Sequence, residues 1–304
     1  MRLDKIGVVG AGTMGRGLAE AIASQGMDVL LNDRDPDQLN AAREAIEISL
    51  QKRQEKWAIT EAEKRIILGR ISYLDSLTPM AQADLVIETI IEDLDQKKEV
   101  FAALDRICKP DAILATNTST LSITELAAVT QRPGQVLGLH FMNPVPTSRL
   151  VEVVRGLKTS EKTVAIAADL VAAMGKEWVE VYETPGFVST RLVLTLCNEA
   201  MYALMEGVAT AEGIDKAMRL GYGMPRGPLE TADRMGLDTI LLAMERLFRE
   251  YGDSKFRPCP LLRKLVRAGH LGAKTGQGFF RYNRDGERIP DSHTSQGQEE
   301  GMQR

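Results

Sequence analysis

Histidine and cysteine are scarce in this chain of 304 residues, which holds three of each. The cysteines, Cys108, Cys197 and Cys259, stand far apart without metal-ligand spacing. That excludes a disulfide framework and a zinc site and suits a reducing cytoplasm. Basic excess is also missing: 38 Lys and Arg against 42 Asp and Glu leave a formal net charge of -4, which argues against a nucleic-acid partner. No apolar run approaches the roughly twenty residues that a membrane-spanning helix needs, so no membrane contact is expected. The N-terminus enters the first apolar run within a few residues, leaving no room for a signal or transit segment. No Gly-x-Ser-x-Gly elbow surrounds Ser119, no thiol neighbours His140, and no His-Glu-x-x-His cluster occurs. Covalent nucleophilic and metal chemistry are therefore not expected. What remains is the composition of an ordinary globular protein, 44% hydrophobic and 26% charged, long enough for two domains.

What is present begins at residue 5. The apolar run Lys5-Ile6-Gly7-Val8-Val9 leads into Gly10-Ala11-Gly12-Thr13-Met14-Gly15 and then a helical pattern. The first glycine permits a tight strand-to-helix turn, the second lets backbone N–H groups approach a pyrophosphate, and the third lets helix and strand lie close. A second apolar run, Val29-Leu30-Leu31-Asn32, ends at Asp33, whose carboxylate can accept hydrogen bonds from both hydroxyls of an adenosine ribose. It would repel a 2′-phosphate, so NAD is expected rather than NADP, although Arg34 weakens that exclusion. A lone glycine triplet says little; strand, triplet, helix, strand and acid in this order carry the reading.

Apolar runs at 5–10, 28–32, 84–90, 112–116 and 136–141 alternate with helical stretches. This predicts an α/β Rossmann-type domain, a parallel sheet with helices on both faces. The charged segment Pro36 to Gly69 contains the capping-box pattern Thr60-Glu61-Ala62-Glu63 and is expected as a helical hairpin projecting from the sheet. Further strands are expected at 150–154 and 178–183. After Thr184-Pro185-Gly186 the pattern is helical, with apolar spacing of three and four as in Leu192 with Leu196 and Met201 with Leu204. The domains are thus expected at 1–184 (nucleotide binding), 185–282 (all-α, also serving a homodimer interface) and 283–304 (a disordered tail).

Of the histidines, His293 lies in that tail and His270 beside Gly269; His140 ends the strand Val136-Leu137-Gly138-Leu139. Carboxyl ends of strands in an open parallel sheet face the ligand crevice, and imidazole suits proton transfer near neutrality. Glu152, within Leu150-Val151-Glu152-Val153-Val154, shares a face with apolar neighbours and needs a partner there unless it faces solvent on an edge strand. His140 is the natural one, and such a pair provides a base for alcohol oxidation. Thr116-Asn117-Thr118-Ser119-Thr120 also lands at the crevice; it can bind a substrate oxygen or the nicotinamide, or merely cap the short helix that follows.

Taken together, these motifs resemble the 3-hydroxyacyl-CoA dehydrogenase family, in particular its bacterial 3-hydroxybutyryl-CoA branch. The resemblance spans Ile6 to Tyr282. Its marks include Gly10 to Gly15, Asn117-Thr118-Ser119, His140 to Pro146, Leu150 to Val153, Pro185-Gly186-Phe187-Val188, Gly227-Pro228-Leu229, Gly236-Leu237-Asp238 and Leu271 to Gly276. It implies that His140 takes the proton of a 3-hydroxyl while hydride leaves C3 for NAD. It further implies that Glu152 supports His140 and that Ser119 and Asn143 hold substrate oxygens. Glu92, Lys97, Asn117 and Lys274 would contact NAD, and Ser49 and Lys56 on the hairpin would contact CoA. Thr190 stands where the family usually has Asn, Thr147-Ser148-Arg149 replaces Val-Met-Lys, and Trp57-Ala58 replaces Gly-Lys. Two other readings stay open: a dehydrogenase of a free hydroxy acid, with Arg149 reading its carboxylate, and a non-catalytic NAD-binding protein.

Overall fold

The computed structural model describes residues 3–290, and the chain divides after Phe187 into two units. The first unit runs β1 (Lys5–Val9), α1 (Thr13–Ala23), β2 (Asp28–Asn32), α2 (Pro36–Glu55), α3 (Glu61–Gly69), β3 (Ile71–Leu74), β4 (Leu85–Glu88), α4 (Leu94–Ile107), β5 (Ile113–Thr116), α5 (Ile123–Ala128), β6 (Val136–Phe141), β7 (Leu150–Arg155), α6 (Glu161–Ala173) and β8 (Glu177–Tyr182). The eight strands form one sheet in the order β3-β2-β1-β4-β5-β6-β7-β8.

Strand alternation builds the core on both faces. Ile6, Val8, Leu31, Ile87, Ala115, Leu139 and Val153 join one apolar cluster with residues of α1, α2 and α6. Val9, Leu30, Val86, Leu114, Val136 and Val154 join another with Phe101 and Leu104 of α4 and Ile123 and Leu126 of α5. Leu31 is fully buried, and truncating such a residue to Ala costs about 2–5 kcal/mol.

Two features depart from the expected layout. β3 is an additional strand; its four residues are too short a run to stand out beside the charged hairpin. β6 and β7 pair antiparallel, because residues 142–149 between them form no crossover helix and the chain simply reverses. The helical hairpin is present, with the capping box at Thr60 and Glu63 made in both directions. It does not stand clear of the sheet along its length, since Leu39, Ala42, Ile46 and Leu50 of α2 are buried in the first cluster.

The second unit holds α7 (Ser189–Met205), α8 (Ala211–Tyr222), α9 (Pro228–Met235), α10 (Leu237–Tyr251), α11 (Pro260–Arg267) and a short antiparallel pair, β9 (Arg281–Tyr282) with β10 (Arg288–Ile289). Its core includes Leu194, Cys197, Met201, Leu229, Ile240, Met244, Phe256 and Phe280. The buried stripe of α7 is therefore Leu194, Cys197, Ala200 and Met201, whereas Leu192, in the expected stripe, is 66% exposed. Both stripes have helical spacing, and only the neighbours of α7 decide between them.

Two buried carboxylates organise this unit. Asp215 of α8 accepts hydrogen bonds from the N–H groups of Leu229 and Glu230, at 2.9 and 2.8 Å, and so caps α9 in place of a local side chain. Asp233 accepts from the N–H groups of Phe279 and Phe280 and from the Tyr282 hydroxyl, at 2.9, 2.9 and 3.0 Å. Burial pushes the Asp233 carboxyl up to about 6 in spite of those donors. Residues 283–290, expected within the tail, are folded. Asn283 N–H donates to Glu287 O at 2.9 Å, closing a turn that brings β10 onto β9, and residues 291–304 of that expected tail lie outside the described residues.

Candidate active site

The strand order reverses between β1 and β4, so the loops leaving their carboxyl ends flank the crevice where open α/β sheets bind ligands. Gly10 leaves β1 with φ +101°, a conformation that L side chains rarely adopt. A Cβ on Gly15 would lie 1.8 Å from the Gly10 carbonyl oxygen, so only glycine lets α1 approach this closely. A Cβ on Gly12 would meet nothing within 4 Å. Gly12 thus borders open space at the start of α1, which carries neither a capping side chain nor an acidic residue in its first turn. Uncapped N–H groups and the helix dipole there suit a pyrophosphate. Thr13 and Met14 follow in that first turn. Half-buried Asp33, beyond β2, accepts from Ala11 N–H at 2.8 Å and from Asp35 N–H at 3.0 Å, which ties this acid to the glycine turn. The residues present fit a dinucleotide.

His140 and Glu152 are directly opposed across the antiparallel pair β6 and β7. Nδ1 of His140 lies 2.6 Å from Oε2 of Glu152. The histidine is 8% exposed and the glutamate fully buried, which removes the reading of a solvent-facing edge glutamate. The Phe187 ring packs beside the imidazole, 5.7 Å between centroids. With Glu152 as acceptor, Nδ1 carries the proton and Nε2 presents its lone pair, the tautomer of a base.

The loop after β5 reaches the same strand. Oδ1 of Asn117 accepts from Phe141 N–H at 2.9 Å, one residue from His140. Ser119 is half-buried in that loop, and Asn143, two residues beyond β6, is exposed. Lys176 donates to the carbonyls of Val145 and Ser148 at 2.6 and 2.5 Å and so pins the connection that carries Asn143; sequence reasoning did not single it out, since a lone lysine before a strand carries no signal.

Beneath this loop lies a buried charged cluster. Lys97 is 1% exposed, with its ammonium 2.6 Å from Glu88 Oε1, 3.3 Å from Ile90 O and 3.4 Å from Glu92 Oε2. Glu88 also accepts from Thr116 Oγ1 at 2.7 Å and from Ile90 N–H at 2.6 Å. Burial raises the Glu88 carboxyl above the usual range, opposed by Lys97 and these donors. Of the two residues assigned to NAD here, Glu92 is 27% exposed in its side chain and Lys97 is enclosed.

Ser49 is half-buried on α2 and Lys56 exposed at its C-cap. Arg53, which lies between them in sequence, is tied to Glu20 and Ser24 of the α1 region, at 3.3 and 3.1 Å. Arg149, offered as a carboxylate reader, pairs on the surface with Glu177. In the second unit, Thr190 is buried in the first turn of α7, and Lys274 Nζ holds both carboxylate oxygens of Asp238, at 2.6 and 2.7 Å. Among the described residues no group of acids, histidines and cysteines could hold a metal ion, and no helix is long and apolar enough to cross a membrane.

Fold and site define a dinucleotide-dependent dehydrogenase. Residues 5–184 match the family model of the 3-hydroxyacyl-CoA dehydrogenase NAD-binding domain, and residues 186–282 match that of the same enzymes' C-terminal domain. A probable 3-hydroxybutyryl-CoA dehydrogenase of Bacillus subtilis is 50% identical over 93% of this chain and 98% of its own. The 3-hydroxybutyryl-CoA dehydrogenase of Bradyrhizobium diazoefficiens is 46% identical over 92% and 96%. The crystal structure of (S)-3-hydroxybutyryl-CoA dehydrogenase from Ralstonia eutropha superposes with a TM-score of 0.88 at 42% identity, covering 93% of this chain and 100% of that one. The chain belongs to the 3-hydroxyacyl-CoA dehydrogenase family and is an NAD-dependent oxidoreductase.

Proposed function

We propose that the chain catalyses the reversible oxidation of an (S)-3-hydroxyacyl-CoA, with a four-carbon acyl group, to the 3-oxoacyl-CoA, in fatty-acid or butanoate metabolism in the cytoplasm. The observation that carries this reading is the buried contact of His140 Nδ1 with Glu152, 2.6 Å, beside the loop of Asn117 and Ser119. When bound, NAD supplies the acceptor for the hydride that leaves C3. The chain's own residues handle the proton and the orientation. Nε2 of His140 accepts the proton of the 3-hydroxyl; Glu152 holds Nδ1–H, fixes the tautomer and stabilises the imidazolium that forms. Ser119 and Asn143 hold the substrate oxygens, and Asn117 joins the glycine turn, Asp33 and Glu92 in holding the cofactor. Lys97, being enclosed, acts through Glu92. Ser49 and Lys56 contact the CoA moiety.

The surface pairing of Arg149 with Glu177 weighs against recognition of a free hydroxy acid by this residue. The homodimer is proposed through the second unit, whose helices leave Leu192, Leu220, Tyr222 and Leu242 exposed.

The test follows NADH oxidation by the purified protein with acetoacetyl-CoA, free acetoacetate and a panel of keto acids. Turnover confined to the CoA ester supports the proposal. Turnover with a free acid would transfer the substrate to the alternative, and silence throughout despite NADH binding would mean a non-catalytic protein.

A further inference from the structure

The segment Thr116-Asn117-Thr118-Ser119-Thr120 alternates two kinds of contact. Thr116 Oγ1 donates to Glu88 Oε2 at 2.7 Å and accepts from Thr118 N–H at 3.2 Å. Thr118 Oγ1 donates to Glu92 Oε1 and accepts from the N–H groups of Thr120 and Leu121, at 3.2 and 2.9 Å. Thr120 Oγ1 reaches the same Glu92 oxygen at 3.1 Å. All three threonines are buried, at 0%, 1% and 5% exposure, while Asn117 and Ser119 between them are only half-buried. Lys97 neutralises part of the charge gathered beneath the loop by bridging Glu88 and Glu92.

We propose that Thr118, seconded by Thr120, is a positioning residue for the reaction: anchored on Glu92, it sets where Ser119 and Asn117 present their side chains to substrate and cofactor. The inference rests on the site reading above, which gives Ser119 and Asn117 their roles. Its physical basis is geometric. The hydroxyl of Thr118 makes three hydrogen bonds at once, so its loss frees two buried N–H groups and lets the loop shift. A displacement of about 1 Å at a group that orients substrate costs about a hundredfold in rate.

The experiment compares Thr118→Val, Thr118→Ser, Thr120→Val and Ser119→Ala with the parent in the full chain. It measures kcat, KM for NADH and for acetoacetyl-CoA, and thermal melting. Thr118→Val is expected to lower kcat at least tenfold and to raise the KM for NADH, since Asn117 and Glu92 lose their common anchor, and Thr118→Ser to restore at least half of the parental kcat. Thr120→Val, which keeps every backbone acceptor, should lower kcat in the same direction by a smaller factor, and it decides the matter should Thr118→Val fail to fold. A role confined to stability would lower the melting temperature and leave kcat of the folded enzyme unchanged in both valine variants, and that result overturns the proposal. Ser119→Ala separates the two levels of inference. Parental activity in that variant would refute the site reading itself, whereas a loss there with unchanged valine variants would refute only the positioning role.

Discussion

Nδ1 of His140 lies 2.6 Å from Oε2 of Glu152, and the two residues are exact cross-strand partners in the antiparallel register of β6 and β7. The carboxylate has no exposure to solvent and therefore acts on the imidazole without screening by water. Their backbones are locked by the sheet, so the pair is set before any substrate arrives.

Replacing each partner should therefore give different losses. His140→Gln is expected to lower kcat about a thousandfold, within the range of general-base catalysis, while the dissociation constant for NADH, measured by fluorescence titration, stays within about threefold of the parent. Glu152→Gln should cost about ten- to a hundredfold in kcat, since tautomer control and imidazolium stabilisation are lost while the base survives. Parental rates in the first variant would refute the base; parental rates in the second would make Glu152 merely structural.

The glycine turn allows a contrast between neighbours. Gly15→Ala places a methyl 1.8 Å from the Gly10 carbonyl oxygen and should destabilise the chain by about 1–3 kcal/mol through overpacking. Gly12→Ala meets nothing in the free protein, so its melting temperature should hold while NADH affinity falls by about tenfold or more, because the methyl occupies the approach of the pyrophosphate. Unchanged NADH affinity in Gly12→Ala would displace the cofactor from this turn.

For CoA recognition, Lys56→Ala should raise KM for acetoacetyl-CoA by about two- to fivefold, the range of an exposed ion pair, and leave KM for the truncated acetoacetyl-pantetheine unchanged. Equal effects on both thioesters would remove Lys56 from the CoA path.

The second unit carries its own pH signature. The folded Asp233 carboxyl titrates at about 6 against an ordinary value of 3.8, so between those values the folded state holds a proton that the unfolded chain has released. Stability from this group is complete below about pH 4 and is lost as pH rises through about 6. Thermal melts of the full chain between pH 5 and 7 should show a falling contribution that Asp233→Asn abolishes. An identical slope in the variant would remove Asp233 as its source.

Local chemistry made much of this protein legible in one dimension. The Gly10 to Gly15 turn and the capping box at Thr60 and Glu63 each act within a few residues, Asp33 was marked by closing an apolar run, and apolar runs marked seven of the sheet's strands. The pairing of His140 with Glu152 was inferable because a glutamate among apolar neighbours demands a partner. Long-range packing decided the rest. Leu192 and Leu194 have equal claims to a helix face, and only the neighbours of α7 select Leu194 for the core. Lys97, of a type that sequence places at the surface, is enclosed because Glu88 from β4 and Glu92 from the following loop converge on α4 and repay its desolvation. The antiparallel turn of β7 puts Glu152 directly opposite His140, and no run of residues encodes that register, because it depends on which strand edge was left open when the chain reversed.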